Sequence, residues 1–251
     1  MMRQEPEHIV VLGETDSTNL ELWRRIDRGE VLPEGFVLWA GTQTAGRGQA
    51  GTKWYGEANK NLSFSVILKP GFLPPSKLFM LNKCIALGIR AALEDLTDDS
   101  GFSIKWPNDI LWQKGKIAGT LIENRIQGQT FELTVAGIGI NINQTVFPAA
   151  IPNPTSLALI SGREYDIAEC LGQVFHQLIT YYRYLKEGKE TLINKAYMEQ
   201  LLGLGEWMHF RHQDKNIKAM ICGVNEYGKL ILKNEDHQYS EHGMKEVELL
   251  L

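Results

Sequence analysis

Apolar residues along this chain follow two periods, and the switches between them predict its elements. Short apolar or alternating runs at residues 8–12, 36–40 and 62–68 predict strands, and the amphipathic segment 20–26 between the first two predicts a helix. Asp16, Ser17 and Thr18 ahead of that helix are N-cap chemistry. From residue 75 to 96 the apolar positions Leu78, Leu81, Ile85, Ile89, Ala92 and Leu93 recur at helical spacing. Strand patterns return at 102–105, 110–112, 116–124 and 130–141, with Gln127-Gly128-Gln129 as the turn between the last two. Pro148, Pro152 and Pro154 mark a connection. Helical periodicity then covers 167–185 and 192–202, and the second helix is expected to close on left-handed caps at Gly203 and Gly205. Beyond residue 207 the pattern is β again, with runs at 217–224 and 229–233 flanking an Asn-Glu-Tyr-Gly turn. A domain boundary is therefore expected near 203, dividing the chain into residues 1–203 and 204–251.

Between two of the predicted strands the periodicity stops. Residues 43–61 contain Gly46, Gly48, Gly51 and Gly56, and their three cations against one carboxylate give a local charge of +2. The first 35 residues instead carry four arginines against eight carboxylates, and the whole chain has a formal charge of −4. Such local positive charge suits a small anion held at one site and excludes a polyanion spread over a broad surface. A Rossmann turn is excluded as well: the G-x-G-x-x-G string at 46–51 is followed by a strand pattern, not a helix. No apolar run reaches the ~18 residues of a membrane span, and residues 1–8 hold no apolar leader, so a cytoplasmic protein is expected. Cys84, Cys170 and Cys222 are odd in number and far apart, as reduced thiols are.

Three further segments carry chemistry. Lys105-Trp106-Pro107-Asn108-Asp109 puts a cation, an aromatic, a rigid turn and two oxygen-bearing side chains within five residues. In Lys116-Ile117-Ala118-Gly119-Thr120-Leu121-Ile122-Glu123, strand alternation predicts that Lys116 and Ala118 share a face. In Gly137-Ile138-Gly139-Ile140-Asn141-Ile142-Asn143, it predicts one face of glycines and amides, flat enough for an aromatic ring such as a purine, with isoleucines opposite. Taken singly, each segment has a plain structural use: the lysines as solvated strand ends, Trp106 as packing, Asn108 and Asp109 as a turn, and the two asparagines as a strand end.

Together with Asp16-Ser17-Thr18-Asn19 and the loop from Gln43 to Trp54, these segments resemble the biotin protein ligases in order and spacing from residue 13 to about 143. The resemblance implies an α+β fold: a mixed β-sheet flanked by helices, similar to class II aminoacyl-tRNA synthetase cores, with a small C-terminal SH3-like barrel. It also implies ATP-dependent ligation of biotin, through a biotinyl-adenylate, to a lysine of a biotin carboxyl carrier protein domain, with Mg2+ accompanying ATP. In that scheme Arg47 and Lys116 are catalytic. Ser17, Thr18, Asn19, Gln43, Gly46, Arg47, Gly48, Gln49, Trp54, Lys116 and Gly119 surround biotin. Arg47, Lys105, Asn108, Asp109, Lys116 and Asn141 surround ATP, with Asp109 also at magnesium. The chemistry of the second step leaves the base that deprotonates the carrier amine open, since Asp109 serves that proton or magnesium equally well. Lipoate or octanoate attachment, and a non-catalytic biotin-responsive protein, are the competing readings. Family members often dimerise through the sheet edge.

Two departures from the family pattern bear on behaviour. Gln49 stands where an arginine is usual, which weakens electrostatic retention of the adenylate. Only 16 residues precede Ser17-Thr18-Asn19, too few for an N-terminal helix-turn-helix domain, so DNA is not an expected partner. The glycine loop around residues 46–55 is expected to be mobile without ligand and to order over the bound acid.

Overall fold

The computed structural model describes residues 5–213 and 215–251, with Ala50 in backbone only. The leader reading falls partly on residues 1–4, outside those described. The chain builds a seven-stranded mixed sheet from β1 (Ile9–Thr15), β2 (Val37–Gln43), β3 (Leu62–Leu68), β4 (Phe102–Lys105), β5 (Asp109–Trp112), β6 (Gly115–Gln127) and β7 (Thr130–Ile140). Its order is β1-β2-β3-β7-β6-β5-β4. Only β1 and β2 run parallel, because α1 (Thr18–Asp27) carries the chain between them; every other neighbour is antiparallel.

Each face of this sheet has its own core. On one face, Leu22 of α1 packs with Leu38, Ile67, Leu133 and Val135. On the other lie α2 (Phe79–Thr97), α4 (Ile167–Lys186) and α5 (Glu190–Glu199), with a short α3 (Leu157–Ser161) after the proline-rich connection. β3, predicted from its alternation, is buried along its whole length because both faces are covered. The second long helix ends earlier than its periodicity suggests. α5 stops at Glu199, and Gly203 and Gly205, with φ of +72° and +77°, turn a segment already running beside Ile104.

A five-stranded antiparallel sheet follows, in the order β11-β10-β9-β8-β12, from β8 (Trp207–His212), β9 (Lys215–Val224), β10 (Leu230–Lys233), β11 (Tyr239–His242) and β12 (Val247–Leu249). It is consistent with an SH3-like unit. Its buried Phe210, Ile221, Leu230 and Val247 belong to the same apolar cluster as Phe79 of α2 and Ile104 and Ile140 of the first sheet. Polar ties reinforce that shared core: Trp106 Nε1 donates to the Gly228 carbonyl at 2.9 Å and Lys105 Nζ to the Leu249 carbonyl at 3.4 Å. The C-terminal sheet is thus packed against the segment that carries Lys105 to Asp109. Among the described residues no helix is long and apolar enough to cross a membrane.

Candidate active site

A cavity of about 530 Å³ opens where the glycine loop, the C-terminal end of β7 and the C-terminal sheet meet. Its lining holds five cations, Arg47, Lys53, Lys105, Lys116 and Lys245, against the carboxylates Asp109 and Glu248, so the positive balance inferred for the loop extends to the whole cavity.

One end is polar and neutral. The N-cap expectation for α1 is only half met, since Ser17 occupies the cap position without making a side-chain cap bond. The Asp16 carboxylate instead accepts from the Ser17 N–H at 2.7 Å and from the Arg24 guanidinium, whose hydrogen bonds hold it well below the usual carboxylate range. Ser17, Thr18 and Asn19 are thereby left to line the cavity, all three nearly fully buried. Gln43 joins them, its Oε1 accepting from the Thr18 N–H at 2.8 Å.

The flat face of β7 does receive side chains, though they are the chain's own. A β-carbon on Gly137 would run into the Asn19 amide, and one on Gly139 into the Trp54 indole. Glycine is needed at both positions for this close approach. β7 ends at Ile140, so Asn141 and Asn143 do not continue the glycine face. The Asn141 amide donates to the Thr155 carbonyl at 2.9 Å, while Asn143 clasps the backbone of Tyr165 through both its amide atoms. Asn141, like Gly46, lies outside the cavity lining.

Lys116 departs from simple alternation. A bulge in the β5–β6 ladder pairs Ile110 with Ala118 and Leu111 with Lys116, leaving Ile117 as the extra residue. Ala118 is therefore buried in the core, while the Lys116 side chain lies over Gly119, whose added β-carbon would sit 3.4 Å from Nζ. The expectation that Lys116 and Ala118 share a face is corrected by that one inserted residue. Lys116 is held from behind as well, its N–H donating to the Asn153 carbonyl at 2.7 Å and its carbonyl accepting from Thr155 N–H at 3.0 Å.

At the cationic end, Lys116 Nζ is 2.7 Å from Asp109 Oδ1, and Arg47 is 3.1 Å from Glu123. Burial lowers the Lys105 ammonium below the ordinary lysine range; the nearby Lys116 adds to that, and Asp109 opposes it. Asn108 is buried, its amide donating to the Thr120 carbonyl. The glycine loop is a small hairpin here. Arg47 bridges Lys53, Trp54 N–H donates to the Gly46 carbonyl at 2.9 Å, and a 3-10 turn spans Gln49–Gly51. Gly48, Gln49, Trp54 and Gly119 all face the cavity.

The structure thus gathers around one cavity every predicted site residue except Gly46 and Asn141. Sequence reasoning missed Ser65, which joins Thr18 to Asn19, and gave no role to Glu123, although its motif contained it. It also overlooked the C-terminal contribution of Lys245, Glu248 and Leu249. Among the described residues no group of three or more His, Cys, Asp or Glu side chains is arranged to hold a metal ion.

Comparison with known proteins agrees with this geometry. The model of the biotin/lipoate A/B protein ligase family matches residues 13–141. The bifunctional ligase/repressor BirA of Bacillus spizizenii is 32% identical over 243 residues, covering 92% of this chain and 70% of that protein. The biotin--[acetyl-CoA-carboxylase] ligase of Paracoccus denitrificans is 29% identical, covering 89% and 93%. The structure of the biotin protein ligase from Aquifex aeolicus in complex with biotin and ATP superimposes with a TM-score of 0.81 at 29% identity, covering 97% of this chain and 99% of that one. On that family match and that relationship, the chain belongs to the biotin/lipoate A/B protein ligase family.

Proposed function

We propose that this protein activates biotin with MgATP and transfers it to a lysine of a biotin carboxyl carrier domain. The observation that carries the reading is the polarity of the cavity: a neutral hydrogen-bonding end at Ser17, Thr18, Asn19 and Gln43, and a cationic end at Arg47, Lys105 and Lys116. A ureido ring suits the first, and a carboxylate meeting a triphosphate suits the second. The relatives' names and the biotin and ATP held by the Aquifex enzyme support the same assignment.

In the first step a biotin carboxylate oxygen attacks the α-phosphorus and pyrophosphate leaves. Two unit charges about 4 Å apart repel by about 4 kcal/mol at an effective dielectric of 20. Arg47 and Lys116 offset this repulsion and bind more tightly as charge moves onto the phosphoryl oxygens. Lys116 turns from Asp109 to do so. Lys105, Asn108 and Asp109 take the nucleotide, and Trp54 with Gly48, Gln49 and Gly119 walls the acid. Asn141 acts from behind, fixing the strand that presents Lys116.

Magnesium arrives with ATP, and ions so delivered need only one or two protein carboxylates beside the phosphates and water. Asp109 and Glu248, both in the cavity lining, would supply those carboxylates. In the second step the carrier amine attacks the acyl carbon, AMP leaves and the amine loses a proton. Neutralising a lysine of pKa ~10.4 at pH 7 costs about 4.6 kcal/mol; Asp109 serves either magnesium or this proton, not both at once.

The test is mass spectrometry of a carrier domain after incubation with the protein, magnesium, ATP and biotin. The expected result is one biotinyl group on one lysine, with AMP released. Parallel arms with lipoate and octanoate decide the acid, and transfer of either in preference to biotin would replace this assignment. Biotin binding without AMP release would leave a non-catalytic binding protein.

A further inference from the structure

Asn19 crosses the sheet at Gly137, and what it reaches on each side forms a continuous polar circuit. On β3, Ser65 Oγ lies 2.6 Å from Asn19 Oδ1 and 2.7 Å from Thr18 Oγ1. On β6, Asn19 Nδ2 donates to the Leu121 carbonyl at 3.2 Å and to Glu123 Oε2 at 2.9 Å. The other carboxylate oxygen, Glu123 Oε1, stands 3.1 Å from Arg47 Nη2. Thr18 closes the far side, its N–H and hydroxyl lying 2.8 and 3.2 Å from Gln43 Oε1. Gln43 ends β2 and Arg47 stands in the loop that follows, so the circuit leaves the glycine loop at its base and returns to it at its cation.

The donors and acceptors leave this circuit little freedom. With both amide hydrogens of Asn19 donated, its oxygen must accept, and Ser65, fully buried with a single proton, must supply that bond. Neither Ser65 nor Glu123 lines the cavity, while Thr18, Asn19, Gln43 and Arg47 all do. The Arg47–Glu123 pair is partly exposed and adds little stability. Its effect is on orientation: with one edge of the guanidinium tied to Glu123, the remaining N–H groups are aimed as a set.

We propose that Glu123 is a positioning residue that couples occupancy at the ring-binding end, sensed by Asn19, to the aim of the loop cation Arg47, because its two carboxylate oxygens hold one partner each. An acid that settles against Thr18 and Asn19 immobilises Asn19, hence Glu123, hence Arg47, so the cation is aimed before ATP and the acid react. This rests on the assignment of the cavity to biotin and ATP.

The experiment is a double-mutant cycle read by biotin-dependent pyrophosphate exchange. Asn19→Ala and Arg47→Lys are made singly and together, in the parent and in Glu123→Gln. The side chain introduced by Glu123→Gln can satisfy Asn19 through its oxygen but then turns an amide N–H toward the guanidinium. In the parent, the combined loss in kcat/KM for biotin is expected to fall short of the product of the single losses by about fivefold or more. In Glu123→Gln the losses are expected to multiply to within about twofold. Glu123→Asp, which keeps the charge but is too short for both partners, is expected to behave like Glu123→Gln and serves for the cycle if that variant does not fold. Multiplicative losses already in the parent, or the same coupling with and without Glu123, would overturn the proposal. Absence of any biotin-dependent exchange in the parent protein would instead count against the ligase assignment.

Discussion

The Trp54 indole occupies the space that a β-carbon on Gly139 would need. The loop tryptophan and the β7 glycine are therefore one feature, a cavity wall that exists only while position 139 has no side chain. Trp54 Nε1 is buried without a hydrogen-bond partner among the described residues, so this wall is held by packing rather than by a polar tie. Gly139→Ala is expected to force the ring away at an overpacking cost of about 1–3 kcal/mol. The expected result is a biotin KM raised about tenfold or more, with kcat less affected. Trp54→Ala should abolish the penalty, because no ring remains to be displaced. If Gly139→Ala costs as much in the Trp54→Ala background as in the parent, the ring is not what position 139 must accommodate.

Lys116→Ala isolates the chemical step. The side chain is part exposed, its ion pair is with Asp109, and the bulge that presents it is set by backbone bonds to Asn153 and Thr155. Thermal stability should therefore change by less than about 1 kcal/mol. Loss of a cation at the developing phosphoryl charge is expected to cost on the order of 3 kcal/mol, or ~100-fold in adenylation rate. A pyrophosphate-exchange rate within about twofold of the parent would place Lys116 away from the reacting atoms.

How far the sequence carries is best seen in β6 and β7. Alternation predicted both strands, and Leu62–Leu68 and Phe102–Lys105 were legible to the residue, the first because a covered strand leaves a dense apolar run, the second because its apolar and polar residues alternate. It failed at Lys116 because a one-residue bulge leaves no mark in polarity, yet shifts every later side chain to the other face. The glycines of β7 predicted a flat face but not its occupants, since Asn19 and Trp54 come from distant segments. Ser65 stayed hidden as one small polar residue in an apolar strand; a buried hydroxyl there, opposite Gly137 in register, is the signal that was available. The strands β8, β11 and β12 were missed because they hold only one or no fully buried apolar residue each, Phe210 in β8 and Val247 in β12.

The second sheet should be acid-sensitive through His242. Its ring is buried, stands 5.0 Å from that of His212, and has Nε2 2.7 Å from the Ser240 hydroxyl. Burial lowers its pKa below the ordinary 6.5, His212 adding to the effect and Glu246 opposing it. A depressed histidine means that the unfolded chain binds the proton more readily, so this contribution to stability is present above about pH 6.5 and is lost as pH falls through the folded-state value. The parent is expected to lose more in melting temperature between pH 7.5 and 5.5 than His242→Asn does. Equal losses would mean that His242 does not set the acid response. Because Leu230, paired with His242, and Val247, paired with His212, both line the cavity, the same pH window should raise the KM for ATP in the parent.

Gln49 is expected to set how long the adenylate stays. It opens the 3-10 turn at the tip of the loop hairpin and lines the cavity as a neutral group, with Arg47 and Lys53 paired across the hairpin on either side. A neutral amide can donate a hydrogen bond but cannot attract phosphate at range, so Arg47 and Lys53 are the hairpin's expected electrostatic hold. Gln49→Arg is expected to slow release of a trapped adenylate by an amount bounded by roughly 1 kcal/mol, or about fivefold, for a new pair that remains solvent-exposed. Raising the salt concentration should erase much of that gain. The hairpin itself should be cleaved by protease between about residues 46 and 55 in the free protein and protected by biotin with ATP, since ordering a glycine-rich segment requires contacts that the ligand supplies. Equal cleavage in both states would remove the closing loop from the mechanism, and an unchanged off-rate in Gln49→Arg would assign adenylate retention to Lys53.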